Sequence, residues 1–310
     1  MDYYCRTCCV SIRLNSMRRK INFGDLPEEH SSIEQAKIVI LPVPYDATST
    51  WQKGADKGPE ALIEASRHME LYDIETDSQV YLKGIFTAEP VEVNGPPEEM
   101  VKSVEKAARF YLEKSKFVVV VGGEHSVSTG SAKAHCAKYE NISVLQLDAH
   151  SDLRDEYEGS KYNHACVMAR ISEMCPIVQV GIRSMDYSEK AALDMSRVFF
   201  AEHIHDGTDW IQKVLERLSE KVYITIDLDV FDPSIMPSTG TPEPGGLTWY
   251  NVLMLLKAVF DDKDVVGFDI VELCPNESNK APDFLAAKLI YKILSYKYSR
   301  ISKKGYRDVS

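Results

Sequence analysis

An α/β fold is predicted, with a parallel sheet covered by helices on both faces. Three observations lead there. Apolar runs of four to seven residues, rich in Val and Ile, recur along the chain. Helix-like stretches lie between most of them, and strict alternation of the two implies parallel strands. Acidic and histidine-bearing motifs follow several of the apolar runs directly, at the position where open parallel sheets bind ligands.

Taken in order, residues 36–41 read as the first core strand. Pro59 suits the first position of a helix, where its missing N–H is no loss. Pro96-Pro97 introduces a helical pattern over 98–114, with Met100, Val104, Ala107, Ala108 and Tyr111 at apolar positions. Further strands are expected at 117–121, 142–147, 177–182, 197–200, 222–226 and 265–271. Helices are expected near 126–139, 164–174, 187–195, 208–219 and 248–260, with a last one over 283–297. No linker, repeat or low-complexity run divides the succession, so 21–310 reads as one domain. Residues 1–20 differ in character. Cys5, Cys8 and Cys9 crowd ahead of Arg18-Arg19-Lys20 without a fourth metal partner. This stretch reads as a disordered N-terminal extension, with Met17 as an alternative start.

Composition narrows the function. At 310 residues and 44% hydrophobic content the chain is long enough to bury a sizeable core. A net charge of -11 argues against a nucleic-acid partner and mildly favours a cationic substrate. No 18-residue apolar stretch marks a membrane span. Seven cysteines, an odd count without paired zinc spacing, fit a reducing cytoplasm.

The chemistry concentrates after three of the apolar runs. Residues 142–147 lead into Asp148-Ala149-His150-Ser151-Asp152. In extended chain, residues two apart share a face, so Asp148, His150 and Asp152 are expected to reach one point. Residues 222–226 lead into Asp227-Leu228-Asp229, and 117–121 lead into Gly122-Gly123-Glu124-His125-Ser126. Mixed carboxylate and imidazole ligands suit a divalent ion such as manganese. Six ligands exceed the needs of one ion with an open position, whereas two ions sharing carboxylates would use them all.

These motifs resemble the three signatures of the ureohydrolases, the arginase/agmatinase family, over roughly residues 38–298. Pro44-Tyr45-Asp46 and the stretches at 54–59, 155–159 and 239–246 resemble the agmatinase branch in particular. The resemblance implies a three-layer α/β/α fold with a mostly parallel, eight-stranded sheet. It implies two Mn2+ ions, nickel or another divalent ion being the alternative, and a trimer or hexamer. His125, Asp148, Asp152 and Asp229 would serve one ion. His150 and Asp227 would complete the second, with Asp148 and Asp227 bridging.

The same resemblance implies hydrolysis of a small cationic guanidino substrate. Agmatine is expected, giving putrescine and urea, with N1-aminopropylagmatine, guanidinobutyrate or arginine as alternatives. Glu272, after the 265–271 run, matches the glutamate that pairs with the guanidinium, and a carboxylate can take two parallel N–H bonds from that planar fork. Thr241 matches a hydroxyl at the same site. His164 matches a proton-shuttle histidine, and Asp152 would also stabilise the tetrahedral intermediate. Asp155, Glu156 and Glu158 are candidates for the distal ammonium, and Arg154 for a carboxylate in a guanidino acid. His30, His68, His135, His203 and His205 have no partner spacing, so surface or packing roles are expected. A one-zinc deacetylase on the same fold needs fewer ligands, and a non-catalytic homologue commonly lacks some.

Overall fold

Residues 21–93, 95–204 and 207–299 are described by the structure, a computed structural model. Eight strands form a single sheet: Ile38–Val43 (β1), Ile85–Thr87 (β2), Phe117–Gly122 (β3), Ile142–Leu147 (β4), Ile177–Ile182 (β5), Val198–Phe200 (β6), Lys221–Asp227 (β7) and Asp264–Val271 (β8). Their order is β2-β1-β3-β8-β7-β4-β5-β6, and every pairing is parallel. The helices are Glu28–Ser31 (α1), Gly58–Ser66 (α2), Pro97–Glu113 (α3), Val127–Lys138 (α4), Val167–Ser172 (α5), Asp209–Arg217 (α6), Trp249–Asp262 (α7) and Ala281–Tyr298 (α8).

Alternation along the strands sorts side chains between two helical layers. Val39, Leu41, Val118 and Val120 pack with Met100, Val104 and Leu112 of α3. Their neighbours Ile38, Ile40, Val119 and Val121 face the other way, into a core with Leu62 of α2, Trp210 of α6, Leu256 of α7 and Ile290 of α8. Strands covered on both faces have no solvent side, which is why they read as unbroken apolar runs. The result is the expected three-layer α/β/α architecture. Among the described residues no helix is long and apolar enough to cross a membrane.

Two expectations need correction. Residues 187–195 do not form an α-helix; a 3-10 turn spans Tyr187–Ala191. There the side chain of Asp186 takes the Ser188 N–H, and that of Glu189 takes the Asp186 N–H, which satisfies one turn and goes no further. The expected 164–174 helix divides into a 3-10 turn, His164–Cys166, and the short α5. Strand β2 was not foreseen, since three residues carry no readable period. Cys5, Cys8, Cys9, Met17 and His205 lie outside the described residues.

The topology fixes where chemistry can occur. Strands β7 and β8 come late in the chain and insert between β3 and β4. The four central strands are therefore β3, β8, β7 and β4, and all four end on one side of the sheet. Gly123 keeps that edge compact: a Cβ there would stand 2.0 Å from the Tyr45 carbonyl oxygen.

His135 of α4 packs beneath the sheet against the Tyr223 ring, at 4.4 Å between centroids. Its Nδ1 donates to the Ser131 carbonyl at 2.8 Å, while buried Nε2 has no partner. Burial pushes its pKa down to about 4. Between that value and the unfolded value of about 6.5 the unfolded chain binds the extra proton, so stability falls as pH falls through this window. The stability of the wild type relative to His135→Leu should shrink by about 3 kcal/mol between pH 7 and pH 4 in urea denaturation. A difference independent of pH would show that His135 is not the acid-labile group.

Candidate active site

Each of the four central strands delivers a polar side chain as it ends. His125 lies three residues beyond β3, Asp148 directly after β4, and Glu272 directly after β8. Asp227 closes β7, and its carboxylate accepts the Asp229 N–H at 2.9 Å, which turns the chain and brings Asp229 alongside. Glu272 uses left-handed backbone at φ 66°, and so does Asp152, five residues beyond β4, at φ 52°. Such conformations are uncommon for residues with a Cβ and persist where the surroundings enforce them. The Glu272 N–H donates to Gly123 O at 2.7 Å, and Glu272 Oε1 accepts the His125 N–H at 2.6 Å. The ends of β3 and β8 are locked together by this exchange.

The side chains form two groups that share Asp148. His125, Asp148 and Asp152 make one, and Asp148, His150 and Asp229 make the other. His125 Nδ1 lies 2.9 Å from Asp152, 3.1 Å from Asp148 and 3.5 Å from Asp227. His150 Nδ1 lies 2.8 Å from Asp229. The sequence reading put Asp148, His150 and Asp152 on one point, and grouped Asp229 with His125. The structure separates them because the chain leaves β-geometry after Leu147 and turns at Asp152. His150 then faces Asp229 across the β4–β7 boundary.

Burial and close carboxylates perturb His125, His150, Asp152, Asp227 and Glu272. Burial disfavours protonated His125, but the carboxylates of Asp148 and Asp152 outweigh it and hold its pKa well above the ordinary value. Burial likewise opposes charge on His150, and Asp229 and Asp148 raise its pKa to about 12. Burial and the charge of Asp148 push Asp152 up to about 6. Asp227 and Glu272 are pushed well above the usual carboxylate range, first by burial and then by neighbouring carboxylates. His125 Nδ1 is buried without an aligned hydrogen bond although three carboxylates surround it. Oxygen and imidazole donors converging on one buried point fit a divalent ion.

A polar framework beneath the strand ends holds these donors. Gln146 Nε2 donates to Asp148 Oδ2 at 2.7 Å, and Gln146 Oε1 accepts from Gln179 Nε2 at 2.6 Å. His125 Nε2 meets Thr225 Oγ1 at 2.9 Å, and that hydroxyl donates to the buried Asp269 at 2.6 Å. Tyr223 donates to the other Asp269 oxygen at 2.6 Å. Sequence reasoning passed over Gln146, Thr225 and Asp269. Their signal was present: each is a polar residue buried within a mostly apolar strand.

His164 is held by a second relay, which the sequence reading also missed. Glu124 is fully buried and accepts from Thr48 N (2.5 Å), Thr48 Oγ1 (2.6 Å), Ser49 N (3.0 Å) and Ser126 Oγ (2.5 Å). Thr48 Oγ1 accepts the His164 N–H at 2.9 Å and lies 3.2 Å from His164 Nδ1. Its one hydrogen is committed to Glu124, so it acts as an acceptor toward the ring. Nδ1 then carries the proton and Nε2 is the free base. Burial, with the charges of His125 and His150, pushes the His164 pKa down to about 4.

These groups line a cavity of about 280 Å³. His125, His150, Asp152, His164, Asp227, Thr241 and Glu272 contribute to its wall, and so does Arg154. The Arg154 guanidinium stands 4.4 Å over the Tyr157 ring and 3.8 Å from Asp186. Glu158 is exposed, at φ 48°, and is not part of the cavity wall. Asp155 turns away to pair with Arg170 and Lys161. The lining includes the exposed Asp186 and the buried Glu189 instead.

Comparison with known proteins bears on this arrangement. The family model described as "Arginase family" matches residues 36–295. The N(1)-aminopropylagmatine ureohydrolase of Synechocystis sp. is 40% identical over 280 residues, covering 87% of this chain and 92% of that protein. The agmatinase of Pyrococcus horikoshii is 33% identical, covering 84% and 92%. The crystal structure of the agmatine ureohydrolase of Thermoplasma volcanium superposes with a TM-score of 0.79 at 31% identity, covering 89% of this chain and 93% of that one.

Removing the Glu124 carboxylate frees the loop that carries Thr48. Hydrogen bonds to a charged acceptor contribute about 1.5–3 kcal/mol each. In Glu124→Ala the Thr48 and Ser49 amides should exchange hydrogen at least about tenfold faster by mass spectrometry. Unchanged protection would show that the loop is held by something else.

Proposed function

The chain belongs to the arginase family and is a hydrolase of guanidino substrates, and we propose that its substrate is N1-aminopropylagmatine, cleaved to spermidine and urea. The observation that carries the reaction is the pair of His/Asp groups sharing Asp148 at the floor of a cavity walled by Glu272 and His164. The substrate rests on the relatives: the one named for aminopropylagmatine is more similar than the agmatinase. Agmatine, the substrate expected from the sequence, is the same molecule without the aminopropyl arm.

In this reading His125, Asp148 and Asp152 would hold one divalent ion, with Asp227 beside them, and Asp148, His150 and Asp229 would hold the other. Manganese is the ion proposed. When bound, two such ions lower the pKa of water and supply a nucleophile at neutral pH. Glu272 fixes the substrate. Its Oε1 is engaged by the His125 N–H, and Oε2, beside Gly240, is left for the guanidinium. Thr241 lines the same wall and offers a hydroxyl. His164 Nε2, the free base, takes up the proton that the attacking water loses and passes it to the departing amine, while Thr48 and Glu124 keep the ring oriented. A homo-oligomer, trimer or hexamer, is part of the same proposal.

Two experiments test this. Dialysed against Mn2+, the chain should hold two ions by elemental analysis. Asp148→Ala should hold fewer than one, because Asp148 belongs to both groups. Loss of a single ion from that variant would refute the shared-ligand arrangement. Urea release from the loaded chain should favour N1-aminopropylagmatine over agmatine, arginine and 4-guanidinobutyrate. His164→Asn should lower kcat about a hundredfold to ten-thousandfold with little change in KM. Activity confined to guanidino acids would sink the polyamine reading and point to Arg154 as a carboxylate anchor.

A further inference from the structure

We propose that Trp51 forms the outer wall of the substrate site and selects the longer polyamine by receiving its terminal ammonium. The proposal rests on the aminopropylagmatine reading above and assigns the residue that enforces it.

Trp51 sits on the loop between β1 and α2, and that loop is fastened on both sides of it. Ahead, the Thr48 and Ser49 amides donate to Glu124. Behind, the Gly54 and Ala55 amides donate to Asp46 at 2.7 and 3.2 Å, and Gln52 reaches Cys274 Sγ at 3.5 Å. Between these anchors Trp51 is 80% exposed and contributes to the cavity wall. A single exposed apolar residue is ordinary on a protein surface. An indole held out by a pinned loop at the opening of a site for cations has a chemistry to serve. Trp offers the strongest aromatic face for an ammonium, and its ring also covers methylene groups.

Asp186 complements it at the opening. Its Oδ1 accepts the Ser188 N–H at 2.9 Å and the Ser188 hydroxyl at 2.5 Å, which fixes the carboxylate. Its Oδ2 is only loosely engaged, 3.8 Å from Arg154. With the guanidino group on Glu272, both candidate substrates present an amine after four methylenes, and Asp186 suits that shared charge. Only the longer substrate continues through three more methylenes to a second ammonium, and Trp51 is the group assigned to it.

The test is steady-state kinetics of the manganese-loaded wild type, Trp51→Leu and Trp51→Phe on N1-aminopropylagmatine and agmatine. The ratio of kcat/KM for the longer over the shorter substrate should fall roughly tenfold in Trp51→Leu, through KM for the longer one. Trp51→Phe should keep most of the ratio. In parallel, spermidine should quench wild-type tryptophan fluorescence more than putrescine does, and that difference should vanish in Trp51→Phe. An equal loss on both substrates, or no loss on either, would overturn the role of Trp51 and leave the substrate reading intact. A wild type that prefers agmatine would overturn the substrate reading, and the selection proposed for Trp51 with it.

Discussion

Charge crowding at the ends of β3, β8, β7 and β4 is the constraint that the surrounding structure answers to. Asp148, Asp152, Asp227, Asp229 and Glu272 are all buried within one crevice, and two imidazoles cannot neutralise them all. Buried carboxylates are costly unless paired with cations or hydrogen-bond donors. Much of the local architecture follows from that cost. Gln146 and the His150 amide are committed to Asp148, the Ala149 amide to Asp229, and the Asp229 amide to Asp227. Backbone strain at Asp152 and Glu272 is tolerated because the groups they carry are needed at that point.

The support extends well below the surface of the crevice. Tyr223, Thr225 and Asp269 form a hydrogen-bonded chain inside the sheet, where an apolar trio would pack as well. A group that contacts a metal ligand from behind sets its orientation and basicity. Glu124 does comparable work for the loop above the cavity, placing four hydrogen bonds on one carboxylate. That single buried side chain holds Thr48, on which His164 rests, and the leading end of the Trp51 loop, whose trailing end Asp46 holds.

Much of this was legible in the sequence, for physical reasons. Strands buried on both faces leave unbroken apolar runs, so β3, β4 and β5 were bounded to within a residue. Polar residues delivered at strand ends stand at or just after those runs, so His125, Asp148, Asp227 and Glu272 could be picked out as candidates. Other features had no local signature. Strand β2 is three residues long and is defined by its pairing with β1. The division of donors between two groups depends on the turn at Asp152 and on the adjacency of β4 and β7. The role of Glu124 depends on Thr48, 76 residues away. Asp155 and Glu158 stood in a plausible loop, but their side chains turn to solvent and to neighbouring cations, while Asp186 reaches the cavity from another segment.

The late insertion of β7 and β8 also sets a timetable for the nascent chain. Strands β3 and β4 are complete once residue 147 has been made, yet they are not partners; the gap between them is filled by residues 221–271. Until those emerge from the ribosome, two apolar strands each present an unpaired edge, the kind of surface through which partly made sheets associate with one another. The central crevice closes only when sequence-distant segments meet, a step that costs loop entropy before any contact rewards it. An ion that needs both Asp148 and Asp229 has no site on a chain released early. Its binding would therefore mark translation products that have reached their full sheet.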